Sequence, residues 1–369
     1  MHKVNILHVT YDMQIGGTET VIKNIISSTD SNQYSHSIFC IEDKMGPWGR
    51  ELNEAGIPVF MGNRQPGFDR LLIKKIRRLI TSEKIDVVHC HQYTPWVYGC
   101  LAALGKKAKV IFTEHGRFHP DSSSWKRNLI NPWLARATNH ITSISKATKL
   151  ALVEFENIPI ERINVIYNGI DPLYPDPMQS EKFRLDHQVH PNDILLGTVA
   201  RLDPIKNQLM MLEAFALASN EFSKMTLVIV GDGQMRDALE KKVESLGIKE
   251  KVIFTGYINN PINILMAIDV FLLSSLSEGT SMTLLEAMSL AKPCVVTDAG
   301  GNPEVIKDCE TGFVTPNEDG VLFAQGITKL VQSPELIQAY GQAAKKRFDD
   351  YFSSQKMASE YQILYGSKN

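Results

Sequence analysis

Short apolar runs alternate with longer stretches of mixed polar and apolar residues along the whole chain. The runs are short enough for strands, and the stretches between them carry helix-like periodicity. Strands are expected at 3–9, 36–41, 57–61, 85–90, 109–113, 139–144 and 163–166, then at 194–200, 225–230, 251–254, 269–273, 293–297 and 312–314. Strand–helix alternation of this kind predicts parallel α/β sheets. Midway, the Pro-rich segment Asp171-Pro172-Leu173-Tyr174-Pro175-Asp176-Pro177 is followed by Lys182–Asn192, which reads as a linker. The predicted layout is therefore a first Rossmann-like domain over 1–175 and a second over 190–349. A helix of about 350–369 closes the chain, with Met357, Tyr361 and Leu364 on one side. Doubly wound sheets bind ligands beyond the carboxyl ends of their strands, so two such domains facing each other would place a site in the cleft between them.

With 369 residues the chain is too long for one typical domain, and its 43% hydrophobic content is that of an ordinary globular protein. No apolar run approaches the ~20 residues of a membrane-spanning helix. The chain enters its first apolar strand at Val4 without a signal-peptide pattern. Its five cysteines, Cys40, Cys90, Cys100, Cys294 and Cys309, are odd in number and scattered, which predicts reduced thiols and a cytoplasmic setting. The net charge of -2 conceals an asymmetry of +5 over residues 1–175 and -7 over the remainder. A basic first half suits an anionic membrane or acceptor; two domains of differing composition explain it equally well. No nucleic-acid partner is expected.

The candidate chemistry lies in loops that follow strands. The segment from Glu278 to Met288 leads from Val270-Phe271-Leu272-Leu273 through Gly279, Thr280, Ser281, Met282 and Thr283 into a helix carrying Glu286. A helix start offers unpaired N–H groups and partial positive charge, a seat for phosphate. Carboxylates on either side of such a seat suit sugar hydroxyls, so the segment reads as a site for a sugar nucleotide. Arg201 and Lys206, five apart across a Pro-containing loop, can converge on one anion. Gly16-Gly17 and Gly231-Asp232-Gly233 follow strands and allow close backbone approach, or simply turn the chain; the latter lacks the spacing of a nicotinamide fingerprint. Phe254-Thr255-Gly256-Tyr257-Ile258 either lines a base pocket with backbone groups or simply ends a strand in a turn, and Gly300-Gly301-Asn302-Pro303-Glu304 opens a further helix. His115, in Glu114-His115-Gly116, is placed to donate to a sugar hydroxyl or phosphate, or to a backbone carbonyl. His89, Cys90 and His91 alternate in direction and lack a second cluster with metal spacing, so no metal site is expected. The basic amphipathic stretch Arg70–Thr81 suits either an anionic lipid surface or a core-facing helix with a solvated basic side. Trp125-Lys126-Arg127 with Trp133 either holds a lipid-linked acceptor or forms an ordinary helix packed by its tryptophans.

Taken in order, these motifs resemble the retaining glycosyltransferases of family 4. The resemblance rests on Gly16-Gly17-Thr18-Glu19, Glu114-His115-Gly116, Asn168-Gly169-Ile170-Asp171, Arg201 with Lys206-Asn207, Gly231-Asp232-Gly233, Glu278 with Glu286, and Gly300-Gly301-Asn302-Pro303-Glu304. Ala200 departs from the glycine that many members have before the arginine. The resemblance implies the GT-B fold, with the C-terminal helix crossing back onto an acceptor-binding first domain and a nucleotide-sugar-binding second domain. It implies that Arg201 and Lys206 bind the donor diphosphate and that Glu286 accepts from the ribose. Glu278 and the backbone from Gly279 to Thr283, Ser281 and Met282 included, would hold the sugar and phosphates, with Gly17 touching the distal phosphate and His115 the sugar. It further implies a nucleotide-sugar donor, commonly a UDP-sugar, no metal or other cofactor, and a glycan or lipid-linked acceptor. The expected setting is cytoplasmic, with peripheral contact at the inner face of the membrane. A sugar-nucleotide epimerase of similar fold, or an inactive nucleotide-sugar-binding scaffold, are the competing expectations.

Overall fold

The apolar runs become strands because parallel sheets covered by helices bury both faces of each strand. The computed structural model describes residues 3–116 and 122–366. Each expected strand forms: β1 (Val4–Thr10), β2 (Tyr34–Cys40), β3 (Val59–Met61), β4 (Val87–His91), β5 (Lys109–Glu114), β6 (His140–Ser143), β7 (Ile163–Val165), β8 (Ile194–Val199), β9 (Met225–Val230), β10 (Val252–Gly256), β11 (Val270–Leu273), β12 (Cys294–Thr297) and β13 (Gly312–Thr315). Every residue of β4, β11 and β12 is buried.

The chain forms two compact units: Met1–Asp171 with Ser353–Asn369, and Pro172–Phe352. The first holds a seven-stranded sheet in the order β3-β2-β1-β4-β5-β6-β7, and the second a six-stranded sheet in the order β10-β9-β8-β11-β12-β13. Both are doubly wound. The order reverses between β1 and β4 in the first unit and between β8 and β11 in the second, and those two points are where such sheets take their ligands. In the first core Trp96 stacks on Phe112 with ring centroids 4.3 Å apart. The second core gathers Leu196, Phe215, Leu227, Leu272 and Phe323.

The helix Ser354–Gly366 belongs to the first unit, which it joins beside a bridge between Ile170 and Ser353. Its Tyr365 hydroxyl lies 2.9 Å from His89 Nδ1, and its Tyr361 hydroxyl 3.2 Å from Thr113 Oγ1. Tyr365, rather than Leu364, takes the deeply buried place beside Met357 and Tyr361. Residues 350 and 351 end a separate helix, Pro334–Tyr351, and residues 367–369 lie outside the described part.

Half of the expected linker is helical. Residues 182–186 finish the helix Pro177–Asp186, which Asp176 caps by accepting from the Met178 N–H at 2.9 Å. Arg184 fixes it by donating to Asp269 at 3.0 Å and to the carbonyls of Ala267 and Asp193. Only Ser180 of this helix is buried, so it carries little of the apolar periodicity that marks helices elsewhere.

Candidate active site

The switch point of the second unit is built by two loops stitched together. After β8, Asp203 caps the tight turn Pro204–Lys206, accepting from the Ile205 N–H at 3.1 Å. Asn207, at φ 48°, then swings the chain into the helix Gln208–Glu221. After β11, the Ser274 hydroxyl donates to the carbonyls of Lys206 at 2.8 Å and Asn207 at 3.1 Å, and the Leu276 N–H donates to Ile205 O at 2.8 Å. This stitching sets Lys206 Nζ 2.6 Å from Glu278 Oε1, with only 19% and 9% of the two side chains exposed. The Ser275 hydroxyl donates to the same carboxylate oxygen at 2.6 Å.

Gly300 and Gly301 buttress this pair from behind. Gly300 sits at φ 53°, and a Cβ there would collide with the Glu278 carbonyl oxygen. The Gly301 N–H donates to that same carbonyl at 3.2 Å. Beyond Glu278 and Gly279 the helix Met282–Ser289 begins, capped by the Ser281 hydroxyl, which accepts from the Leu284 N–H at 3.4 Å. The Ser281 side chain is therefore engaged with its own helix. One turn on, burial pushes the Glu286 carboxyl up to about 7. Arg201 stands at the start of the β8 loop with its side chain exposed and, among the described residues, without an ion pair. Gly231 follows β9 at φ 139°, where a Cβ would strike the Ala200 carbonyl oxygen, so packing against the neighbouring loop already requires glycine there. Tyr257 and Ile258 follow β10 and are 62% and 37% exposed.

The first unit carries a second polar assembly at its own switch point. Gly17 opens the helix Gly17–Ser27 after β1. His115 follows β5, and its Nε2 lies 2.8 Å from His91 Nδ1 at the end of β4. His91 Nε2 lies 3.0 Å from His8 Nδ1 on β1, and His8 Nε2 lies 3.0 Å from His36 Nδ1 on β2. Three neighbouring strands, β2, β1 and β4, and the loop after β5 thus supply the four imidazoles of this series. The chain ends at Thr29, whose Oγ1 is 2.7 Å from His36 Nε2. Burial lowers His8 and His91 well below the usual imidazole range, His36 to about 4 and His115 to about 3. The nitrogens of His8, His89 and His91 come within 4.8 Å of one another, a spacing that a cation can use. Each ring nitrogen of the three already has a hydrogen-bond partner, His89 through Tyr365 and Thr113, and a metal would have to displace those bonds.

Three features were not visible in the sequence alone: Ser275 on Glu278, the Ser274 stitch, and the inclusion of His8 and His36. A signal was present only for His8, a polar residue set between Leu7 and Val9 in the apolar stretch of β1; His36 lies between Ser35 and Ser37 and gives none. Trp125 and Trp133 are 74% and 47% exposed, so the helix Trp125–Ala137 is not packed by its tryptophans; Leu134 and Ala135 are buried instead. The helix Arg70–Ser82 does pack on the core, through Leu72, Ile76 and Ile80.

A lysine held against a carboxylate, beside a helix start, has a defined chemistry. An arriving anion gains the lysine's charge and the helix dipole together, while the carboxylates remain as acceptors for hydroxyl groups. Two doubly wound sheets in one chain, with this apparatus at a switch point, define a glycosyltransferase of the GT-B class. Residues 15–173 match the family model described as Glycosyltransferase Family 4, and residues 179–347 match Glycosyl transferases group 1. The putative glycosyltransferase EpsD of Bacillus subtilis is 30% identical over 307 residues, which are 78% of this chain and 79% of that one. A UDP-Gal:alpha-D-GlcNAc-diphosphoundecaprenol alpha-1,3-galactosyltransferase of Escherichia coli is 26% identical over 98% of this chain and 97% of its own. The solved structure of Anabaena Alr3699/HepE in complex with UDP superposes with a TM-score of 0.86 at 23% identity, with both chains wholly covered. The chain belongs to glycosyltransferase family 4.

Proposed function

We propose that this protein is a retaining, metal-independent glycosyltransferase that moves a sugar from a UDP-sugar to a glycan or lipid-linked acceptor in cell-surface polysaccharide synthesis. The observation that carries this reading is the Lys206–Glu278 pair at the β8/β11 switch point, beside the start of the helix Met282–Ser289. Lys206, exposed Arg201 and the helix N–H groups supply the positive charge that the leaving diphosphate needs as its negative charge grows. Glu278 and Glu286 accept from sugar and ribose hydroxyls, and His115 engages the donor sugar. The sugar passes through an oxocarbenium-like state, as in glycoside hydrolysis. UDP is favoured because HepE was solved with UDP and with UDP-glucose, and because the Escherichia coli relative is named for UDP-Gal.

The acceptor reading draws on that relative and on a Campylobacter jejuni one, 25% identical over 91% of this chain, both named for undecaprenol-linked substrates. Among the described residues no helix is long and apolar enough to cross a membrane. Surface contact with lipid would use two exposed faces of the first unit. One carries Trp125, Leu129 and Trp133 at helical spacing, exposed by 74%, 73% and 47%. The other carries Lys74 and Arg78 beside Leu71, which is 62% exposed, and borders a basic groove of about 550 Å³ shared with Arg77 and Lys106. Basic residues beside exposed apolar ones suit the anionic cytoplasmic leaflet.

The test is thermal stabilisation with UDP-, GDP- and ADP-sugars, with and without Mg²⁺, followed by transfer to a polyprenyl-diphosphate-linked glycan and assignment of the product anomer. Stabilisation by the UDP-sugar alone, unchanged by Mg²⁺, with transfer to the acceptor, is the expected result. Conversion of the donor into its epimer without acceptor would make the protein an epimerase. Absence of stabilisation by any nucleotide would overturn the donor site.

A further inference from the structure

We propose that His91, His8 and His36, terminated by Thr29, are positioning residues that fix His115 as its Nε2–H tautomer, so that His115 Nδ1 offers a lone pair to a ligand hydroxyl. The inference rests on the reading above, in which a sugar meets His115, and reverses the donor role that the sequence gives that residue.

The argument is a count of hydrogens. A neutral imidazole has one N–H and one lone pair. Each link in the series Thr29–His36–His8–His91–His115, at 2.7, 3.0, 3.0 and 2.8 Å, holds one hydrogen. Fixing the direction of one link therefore fixes them all. Either every ring carries its hydrogen on Nε2 and points it toward Thr29, or every ring carries it on Nδ1 and points it toward His115. A mixed series leaves one link with two hydrogens or with none. Burial keeps all four rings neutral, which the count requires.

Two observations select the first arrangement. The Thr29 hydroxyl has its own acceptor, the Ile26 carbonyl at 3.1 Å, and can donate there only while it accepts from His36. At the other end, His115 Nδ1 is excluded from solvent and, among the described residues, has no hydrogen-bond partner. The second arrangement would leave a buried N–H without an acceptor, which is rarer in proteins than an under-used acceptor. The ligand group matched to Nδ1 is therefore a hydroxyl, which can donate. A phosphate oxygen has no hydrogen to give and would require all four rings to reverse.

The test uses the full chain labelled with ¹⁵N-histidine, without ligand, and reads tautomers from two-bond ¹H–¹⁵N correlations assigned with single His→Gln variants. The expected result is Nε2–H for His8, His36, His91 and His115. An Nδ1–H form or a mixture at His115 would overturn the proposal. Thr29→Val removes the terminal acceptor while keeping the side-chain shape. It should shift His115 toward Nδ1–H and lower kcat/KM for the sugar donor by up to about tenfold, the worth of one hydrogen bond, and Thr29→Ser should restore both. An unchanged His115 tautomer in Thr29→Val would also overturn it. The spectra need no substrate. Failure to find sugar transfer would defeat the functional reading and leave the tautomer assignment standing, and the converse holds too.

Discussion

Lys206→Met is the most direct test of the site, because one substitution has two separable effects. The variant keeps the length of the side chain and removes its charge. Glu278 is then left 9% exposed without its cation, 2.6 Å from where Nζ had been. Removing one partner of a fully buried pair costs about 3–5 kcal/mol. Here Lys206 is 19% exposed and Ser275 still donates to the carboxylate, so a loss of about 1–3 kcal/mol in stability is expected. Independently, the donor diphosphate loses a charge-assisted contact worth about 1.5–3 kcal/mol, or about 10- to 150-fold in kcat/KM. Glu278→Gln separates the two effects. It keeps Lys206 beside a neutral amide, so UDP should bind at least as well as to the wild type while turnover of the UDP-sugar falls. Calorimetric titration with UDP, steady-state kinetics and thermal unfolding on both single variants and the double variant supply the full cycle. A folded Lys206→Met protein with wild-type kcat/KM would refute the reasoning. In that case the pair is a loop clamp, and the diphosphate sits elsewhere.

Glu286, raised from 4.5 to about 7 by burial, gives a pH dependence. If its carboxylate accepts from the ribose, UDP affinity should rise about tenfold from about pH 6 to about pH 8, and Glu286→Gln should abolish the rise. The same shift means that the free folded protein holds a proton that the unfolded chain releases above 4.5. Its contribution to stability is therefore lost as pH rises through about 7, and unfolding of the ligand-free protein across that range checks the sign. Gly300→Ala should cost about 1–3 kcal/mol through its left-handed backbone and also lower kcat/KM by displacing Glu278. Gly56→Ala, at φ 88° with open space around it, should cost stability alone, and equal kinetic effects in the two variants would remove the buttress role. Replacing Trp125 and Trp133 together with alanine should weaken sedimentation with anionic vesicles by at least about tenfold; unchanged sedimentation would move the membrane face elsewhere.

The strands were legible because burial on both faces writes itself as unbroken apolar runs such as Val270-Phe271-Leu272-Leu273. The loops were legible because a doubly wound sheet places its chemistry after strands. Pairings between loops were not. Lys206 and Glu278 are 72 residues apart, and their contact follows from β8 lying beside β11, an order that no local pattern encodes. The histidine series is a stronger case, since His36, His8 and His91 come from three strands, and His115 from the loop after a fourth, that neighbour one another only after the sheet assembles. The tryptophans stayed open between two readings for another reason: a helix with apolar residues on more than one side does not say which side is covered, and the structure removes only the packed one. The helix Pro177–Asp186 was hidden because polar caps and Arg184 hold it rather than an apolar stripe.

The helix Ser354–Gly366 has a consequence for the order of synthesis. A ribosome finishes the whole second unit before it begins the segment that supplies Tyr361 and Tyr365 to the first. Until then His89 and Thr113 lack those hydroxyls, and the face of the first sheet that they line stays uncovered. The second unit is thus the one free to fold on emergence, while the older half of the chain waits, partly open, for its closing helix.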